Sequence, residues 1–380
     1  MVYYVKRGKM PELRHTYTDK DDLLREELFG FDAFDSEYSL LYHLYDPAEL
    51  ETIQKEPKKL PGRIDETRHR HIKTGKFEKY SDFVYGRKVL FFNDRLSIGI
   101  IKPEDNSDYY FRNAICDELF FVHYGSGEVL SPFGRNTYKK GDYIYIPRGT
   151  TYKINIKEES YFLFITSFDH IKIPEKYLNK YGQIREGMPY YDRDFGIPEF
   201  MEPEKDGKFD YTVKVNYKNC YMNIKRDYPM FDVAGWDGYL YPFTLNVNKM
   251  APIVGKLHMP PPVHETFESK MFMVGTFLPR PFDFDERAIP VPYYHNNIDS
   301  DELIFYSSGN FMSRKGIEEG SITLHVHGMI HGPQPGLLEK SLGSKGTDEV
   351  AIMVETYEKL YVTNTMLNNE EKDYPLSWKD

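Results

Sequence analysis

The feature that most constrains this chain is a stretch rich in histidines and carboxylates at residues 292–336. It holds four of the chain's 12 histidines. His295 is followed seven residues later by Glu302, which precedes Gly309, and a later segment of the form G-x5-V-x-G-x2-H ends on His331. Turn glycines between short strands bring side chains from neighbouring strands together inside a small β-barrel. The spacing therefore predicts a barrel with a cluster of ligating side chains.

This spacing resembles the two-part cupin signature, H-x-H-x4-E-x6-G followed by G-x5-P-x-G-x2-H. Two positions differ, because Asn297 stands where the second histidine would be and Val326 stands where the proline would be. The three remaining ligands are His295, Glu302 and His331. Two imidazoles and one carboxylate are the ligand set of non-haem Fe(II) oxygenases. We therefore predict that these three side chains bind a metal.

Length and charge narrow the class of protein. At 380 residues the chain exceeds what one core usually absorbs, which favours two domains or a duplicated one. A net charge of −10 disfavours a nucleic-acid partner. Two cysteines favour a reducing compartment. Because no segment resembles a signal peptide or a membrane span, we expect a cytoplasmic protein without a membrane partner.

Most of the chain has the pattern of short β-strands. Aromatic and β-branched runs alternate with Gly, Asp and Pro turns at roughly ten-residue spacing, which is typical of an all-β sandwich or barrel with few short helices. Residues 174–210 are rich in charge, Gly and Pro and predict a crossing between domains. We therefore predict an N-terminal domain at 1–173, a linker at 174–210 and a C-terminal domain at 211–380.

Two polar segments are predicted to lie outside the core. Residues 51–79 are charged, which indicates an exposed loop or short helix with solvated histidines at His69 and His71. The C-terminal residues 368–380 are polar and are predicted to be frayed or bound to a partner.

The first half repeats the frame of the second half without its ligands. Glu118, in a DEL triplet, precedes Gly125 by the interval that separates Glu302 from Gly309, and a G-x5-P-x-G-x2-Y segment ends on Tyr152. One remaining carboxylate cannot hold Fe(II) or Zn(II) against water. The repeat therefore predicts two cupin-like jelly-roll (double-stranded β-helix) domains, of which the first is metal-free.

Several motifs together resemble the homogentisate 1,2-dioxygenases. They are DVAGWDGYLYPF at residues 232–243, the PYYH that ends on His295, the HGP that begins at His331, and YSLLYHLYDP near the N-terminus. The resemblance implies an Fe(II)-dependent, extradiol-type ring-cleaving dioxygenase. Such an enzyme inserts O2 into homogentisate to give maleylacetoacetate in tyrosine and phenylalanine breakdown. It also implies two β-domains and a homo-oligomer, commonly a hexamer.

The same resemblance implies roles for individual residues. It makes His295, Glu302 and His331 the iron ligands, and it places His258, in KLHMPPP, at the family's catalytic histidine. A histidine suits the role of base because its unperturbed pKa of about 6.5 lies near working pH. His264 lies close in sequence and could exchange roles with His258.

Three further positions bear on the substrate and the ligands. His325 matches a family histidine just upstream of the last ligand and is predicted to orient the ligands or the substrate. The role of His327 stays open. Phe311 stands where the family has a substrate-contacting tyrosine, which leaves open another hydroxylated phenylacetate or a gentisate-like acid.

The carboxylate ligand has a competitor in the neighbouring residue. The interval from His295 to Glu302 is one residue longer than in the eukaryotic family members, so Asp301 stands at the shorter spacing. The repeated DEL triplet favours Glu302, because it sets the register independently.

Two other functions remain as alternatives. A zinc-dependent isomerase of the metal-cupin type is disfavoured because Asn297 replaces one ligand and zinc sites of that type prefer a fuller set. A non-enzymatic bicupin would be expected to lose its ligands in both halves, whereas the second half retains three.

Overall fold

The structure is a computed structural model that describes residues 3–17, 23–205 and 211–379. The predicted all-β fold class is confirmed, since the described residues form 28 strands and only short helices. In the first half the strands are β1 (Val5–Gly8), β2 (Arg25–Gly30), β3 (Tyr38–His43), β4 (Thr52–Pro57), β5 (Arg63–Ile64), β6 (Arg70–Lys73), β7 (Arg87–Phe92), β8 (Leu96–Ile101), β9 (Tyr110–Asn113), β10 (Asp117–Tyr124), β11 (Ser126–Ser131), β12 (Gly134–Lys139), β13 (Asp142–Ile146), β14 (Thr151–Ile156) and β15 (Tyr161–Ser167).

In the second half the strands are β16 (Phe195–Gly196), β17 (Tyr211–Tyr217), β18 (Cys220–Arg226), β19 (Val233–Gly238), β20 (Phe243–Asn246), β21 (Glu265–Glu268), β22 (Phe272–Phe277), β23 (Arg280–Pro281), β24 (Asp301–Ser308), β25 (Ser321–His325), β26 (Gly346–Thr347), β27 (Val350–Thr356) and β28 (Tyr361–Thr363). The α-helix is α1 (Leu337–Ser341). None of the helices in the described part of the chain has the length and apolar character needed to cross a bilayer.

These strands build two jelly-roll barrels. The first barrel has a nine-stranded sheet, in the order β16-β20-β13-β10-β15-β8-β7-β28-β5, and a seven-stranded sheet, in the order β12-β11-β14-β9-β17-β18-β4. The second barrel is built on a six-stranded sheet, in the order β21-β22-β27-β24-β25-β6. A four-stranded sheet, β1-β19-β3-β2, adds the N-terminal segment to the first barrel.

The DEL repeat occupies equivalent places in the two barrels. It begins β10 in the first barrel and β24 in the second, and both strands run through the middle of their sheets. Each strand is followed by a glycine with positive φ, +98° at Gly125 and +91° at Gly309. An added Cβ at Gly309 would meet the backbone carbonyl of Asp348, so both the conformation and the space favour glycine.

Strands from each half complete sheets of the other half. β6 of the first half pairs with β25, and β28 near the C-terminus pairs with β7. β17 and β18 join the seven-stranded sheet of the first barrel. The two barrels are thus joined by shared strands. The predicted domain limits, at 1–173, 174–210 and 211–380, stay a prediction.

One hydrophobic core runs between the two barrels. It contains Phe121 and Tyr161 of the first barrel and Phe305 of the second, and the ring centroid of Phe305 lies 6.3 Å from that of Phe121. Tyr143 packs against Phe267 at 5.3 Å. Many of the chain's aromatic residues are therefore used to seal one barrel against the other rather than to line a pocket.

Both polar segments that were predicted to lie outside the core contribute residues to the fold, although β4 in the first segment is itself largely exposed. Residues 51–79 contain β4 and β6, and His69 and His71 are buried, so the prediction of solvated histidines was wrong. β6 is charged in sequence, yet it adds an edge to the sheet of the second barrel. The end of the chain is also packed, because Tyr374 is buried and Glu370 forms ion pairs with Arg68 and Arg70.

Candidate metal centre

His295, Glu302 and His331 converge in the second barrel. One ligand atom from each lies within 4.8 Å of the others. Glu302 is the second residue of β24, whereas the two histidines lie outside the strands and pair with each other through an isolated bridge. His295 Nε2 lies 3.4 Å from Glu302 Oε2, and His331 Nε2 lies 3.6 Å from Glu302 Oε1. The structure thus brings together the three side chains that the signature selects.

The protons on the two imidazoles are arranged to suit a metal. His295 Nδ1 lies 3.2 Å from the carbonyl oxygen of Tyr293, and His331 Nδ1 lies 3.1 Å from that of Met329. Because a carbonyl only accepts, each Nδ1 donates a proton and each Nε2 keeps its lone pair. His331 Nε2 is buried and has no hydrogen-bond partner among the residues that the structure describes. A buried acceptor without a donor fits a bound metal cation.

Glu302 supplies the negative charge of the cluster. Burial by itself raises the pKa of its carboxyl, but the surrounding imidazoles of His295, His325 and His331 outweigh burial and hold the pKa well below its usual range. The carboxylate is therefore ionised and able to neutralise part of the charge of a divalent cation.

Asp301, the competing carboxylate, faces away from the cluster. It accepts from the backbone N–H of His327 at 2.9 Å, from His327 Nδ1 at 2.7 Å and from the N–H of Leu360 at 2.7 Å. Its counterpart in the first barrel, Asp117, similarly anchors Arg148. Successive residues of a strand point to opposite faces, so only one member of each DEL pair can face the barrel interior.

A hydrogen-bonded pair, His325 and Tyr374, lies behind the ligands. His325 Nδ1 lies 2.6 Å from Glu302 Oε1, and His325 Nε2 lies 2.8 Å from the Tyr374 hydroxyl. Burial lowers the pKa of His325 to about 3, so its imidazole is neutral. Nδ1 must then donate to the carboxylate, and Nε2 must accept from the tyrosine. Tyr374 thereby selects the tautomer that holds Glu302 in place.

The two residues that depart from the cupin signature each make a specific hydrogen bond. The amide of Asn297, in place of a histidine, donates to both carboxylate oxygens of Glu355, at 3.1 and 2.9 Å. Val326, in place of proline, donates its backbone N–H to His69 Nδ1 at 3.2 Å. Proline has no N–H to donate. His69 in turn packs edge-on against the ring of His331, with centroids 5.6 Å apart.

The corresponding position in the first barrel is filled by a side-chain cation. Glu118 is buried and hydrogen-bonds to the Arg87 guanidinium, to the Tyr152 hydroxyl at 2.6 Å and to the Asn113 amide at 3.0 Å. Arg87 also donates to Tyr152 at 2.8 Å. The guanidinium thus provides the counter-charge to Glu118 that a metal would provide, which supports the prediction of a metal-free first barrel.

Comparison with known proteins places this geometry in a family. The chain is 45% identical, over 100% of its own length and 99% of the relative's, to a Saccharolobus solfataricus protein named "Putative dioxygenase SSO1533". Residues 92–247 match the family model described as "Homogentisate 1,2-dioxygenase N-terminal". The chain belongs to this dioxygenase family. The resemblance predicted from the motifs is therefore confirmed, and the chain is an oxidoreductase related to the homogentisate 1,2-dioxygenases.

More distant relatives share only part of their length with this family member. The homogentisate 1,2-dioxygenase of Emericella nidulans is 24% identical, over 59% of this chain and 51% of its own. That of Caenorhabditis elegans is 24% identical, over 70% of this chain and 63% of its own. Among solved structures, a cupin 2 conserved barrel domain protein from Leptotrichia buccalis aligns over 78% of this chain and 99% of its own, at 9% identity and a TM-score of 0.34.

A cavity of about 380 Å³ opens from the ligand cluster of this dioxygenase-family chain. Its walls come from the six-stranded sheet and from the irregular segments that face it. The lining is mostly apolar and aromatic, with a few charged groups. The ionisable residues that line it are His258, His295, Glu302, Glu349, Glu355, Arg280, Arg314, Tyr293, Tyr306 and Tyr357. An apolar cavity with few polar groups is the usual form of a site for a small aromatic ligand.

The structure distinguishes the two candidate bases. His258 lines the cavity, and its ring lies 5.7 Å from that of Tyr293, which neighbours His295. Burial lowers the pKa of His258, so the imidazole is free to take up a proton. His264 is not among the residues that line this cavity, and its ring packs on Phe277 at 5.3 Å. Of the two, only His258 is brought to the cavity.

The structure also places the two remaining candidate positions. β25 ends at His325, and His327, whose role the sequence left open, bonds to Asp301. Phe311 is not among the residues that line the cavity, because its ring is turned onto Tyr306, with centroids 4.8 Å apart. Tyr306 does line the cavity, so Phe311 lies one side chain away from it.

Sequence reasoning missed His69, Tyr374, Arg314 and Glu355. His69 and His71 are two residues apart and flank Arg70, as expected of one face of a strand, so period-two alternation was the available signal. The other three lie outside the signature, and no local pattern singles them out.

Proposed function

We propose that this chain is an Fe(II)-dependent ring-cleaving dioxygenase that acts on a hydroxylated aromatic acid, with homogentisate as the first candidate substrate. The observation that carries the proposal is the geometry of His295, Glu302 and His331, whose two Nε2 lone pairs and one ionised carboxylate meet at one end of an apolar cavity. Family membership supports the choice of dioxygenase chemistry.

Three protein ligands leave roughly three coordination positions for other molecules. When bound, Fe(II) supplies the redox chemistry with O2 that amino-acid side chains lack. The protein contributes a fixed ligand set, a mostly apolar cavity, and a base. In this proposal His258 Nδ1 or Nε2 takes the proton of a phenolic hydroxyl of the substrate, while Tyr374 and His325 keep Glu302 in position.

The overall reaction proposed for homogentisate breaks one ring C–C bond and adds both atoms of O2 to the carbon skeleton, giving maleylacetoacetate. In this reaction O2 is the only oxidant, and both of its atoms are retained in the product. Two classes of substrate fit the same chemistry, namely a hydroxylated phenylacetate and a gentisate-like acid. The cavity volume accommodates either class.

The test is metal analysis after anaerobic purification, followed by O2 uptake on a panel of hydroquinone acids that includes homogentisate and gentisate. We expect iron to support O2 uptake with at least one acid and zinc to support none. Turnover with zinc, or no uptake with any acid at full iron loading, would contradict the proposal. The same panel shows which of the two classes of acid is the substrate.

A further inference from the structure

We propose that Arg314 binds the carboxylate of the aromatic acid, so that the cavity holds a second anchor beside the metal centre. This inference rests on the proposed function, because it assigns a place to the acid group of that substrate. Arg314 lines the cavity and is 7% exposed.

Arg314 forms no ion pair within the described part of the chain. Its guanidinium contacts two backbone carbonyls and the Tyr374 hydroxyl, and it lies 5.6 Å from the centre of the Trp378 ring. The Tyr374 and Tyr306 hydroxyls are neighbours, but burial raises the pKa of both phenols, so both are neutral. Buried charges are normally paired, and an unpaired buried guanidinium beside a cavity indicates an anionic ligand.

The guanidinium nitrogens are not equivalent. Nη1 donates to the carbonyl oxygens of Ser313 at 3.1 Å and Gly332 at 2.6 Å. Nε is sealed from solvent and has no partner among the described residues. Nη2 donates to no carbonyl or carboxylate in this part of the chain and is not among the sealed atoms, which leaves it as the nitrogen that can reach the cavity. Because its neighbours hold the guanidinium in place, a carboxylate would meet a preorganised donor.

The position of Arg314 suits a small substrate. It donates to Gly332, the residue after His331, and the charge of Glu302 acts on it, so its guanidinium adjoins the ligand cluster. Arg280, the other cation of the cavity, lies at the end of the cavity near Glu349, whose carboxylate is 3.9 Å away. Arg280 thus has a partial counter-charge, and it provides a matched control.

The experiment compares anaerobic binding of homogentisate and its methyl ester to the Fe(II)-loaded chain by calorimetry. Wild type should bind the acid about 10- to 100-fold more tightly than the ester, the difference expected for a hydrogen bond to a charged group. Arg314→Gln should reduce this preference to near unity by weakening the acid alone. Arg314→Lys should retain part of it, and Arg280→Gln should retain all of it.

Three outcomes would overturn the inference. They are equal binding of acid and ester by wild type, an unchanged preference in Arg314→Gln, and loss of the preference in Arg280→Gln. If Arg314→Gln does not fold, the wild-type ratio and the Arg280→Gln ratio decide the question together with Arg314→Lys. Failure of the proposed function would give a different result. In that case homogentisate, gentisate and the methyl ester would all fail to bind to the Fe(II)-loaded wild type.

Discussion

The backbones of His295 and His331 hydrogen-bond to each other in both directions, with N···O distances of 2.9 and 3.0 Å. Their ring centroids are 4.2 Å apart. Neither residue belongs to a strand. The backbone bridge therefore takes the place of strand pairing and positions both imidazoles beside Glu302. Because their backbones hold the two histidines together, the pair is preorganised for metal binding. Substitutions of the surrounding side chains can therefore test each contribution separately.

Removal of the Tyr374 hydroxyl should weaken metal binding without emptying the site. In Tyr374→Phe the Nε2 of His325 loses its donor, so the tautomer that donates to Glu302 is no longer enforced. Loss of a partner behind a ligand typically costs 10–100-fold in metal affinity. Competition with a chelator measures the Kd for Fe(II). Tyr181→Phe, at a tyrosine that is 79% exposed, is the control and should match wild type.

His258→Gln should separate the base from the ligands. We expect full iron content and near-normal substrate affinity, with kcat lower by at least about a hundredfold, because a positioned base contributes typically 10²–10⁴-fold. His264→Gln, at a buried histidine outside the cavity lining, should have a smaller effect on kcat. Loss of iron in His258→Gln would make this residue a ligand or a fold residue instead.

The first barrel should depend on Arg87 for stability and not for metal. Arg87→Met leaves Glu118 buried without its cation, which should lower the free energy of unfolding by about 3–5 kcal/mol. The double variant Arg87→Met, Glu118→Leu removes both charges and should recover most of the loss. Denaturant unfolding measures both effects. Iron content should not change in either variant, and iron bound near Glu118 would contradict this account of the first barrel.

The pair of His43 and Asp232 should make stability depend on pH. Burial alone would lower the pKa of His43, but hydrogen bonds to Asp232 at 2.8 Å and Glu27 at 2.9 Å raise it from 6.5 to about 9. Because the pKa of His43 is higher in the folded than in the unfolded protein, protonated His43 stabilises the folded state. This contribution, on the order of 3 kcal/mol, is fully present below pH 6.5 and is lost as the pH rises through about 9.

The measurement is the difference in unfolding free energy between wild type and His43→Gln across that pH range. The difference should shrink as the pH is raised from 6.5 to beyond 9. A difference independent of pH would show that His43 is not charged in the folded protein.

The clustering of His295, Glu302 and His331 could be predicted from sequence because these residues follow a spacing that the repeat duplicates. Glu302 and Glu118 hold equivalent positions on β24 and β10, and this register favours Glu302 over Asp301 from the sequence alone. What surrounds the ligands could not be predicted in the same way. His69 reaches the cluster from the position just before β6, which pairs with β25, and Tyr374 reaches it from near the end of the chain. No local pattern encodes either of these long-range contacts.

Charge patterning was misleading for a related reason. β6 is a charged segment in sequence, but Arg70 is buried because Glu370 pairs with it at 2.5 Å. The partner lies near the opposite end of the chain. The charges of the segment were therefore interpreted as exposure to solvent, although Arg70 is paired with a distant carboxylate. The position of Arg314 in the cavity wall was hidden for the same reason, since its role depends on neighbours that the fold assembles.

The most direct test of the central claim is anomalous diffraction at the iron edge from crystals of the wild-type chain loaded anaerobically with Fe(II). The account predicts one peak per chain, between His295 Nε2, His331 Nε2 and the Glu302 carboxylate, and its loss in His331→Ala crystals treated in the same way. A peak beside Glu118 and Tyr152, or none beside His331 at full loading, would contradict it.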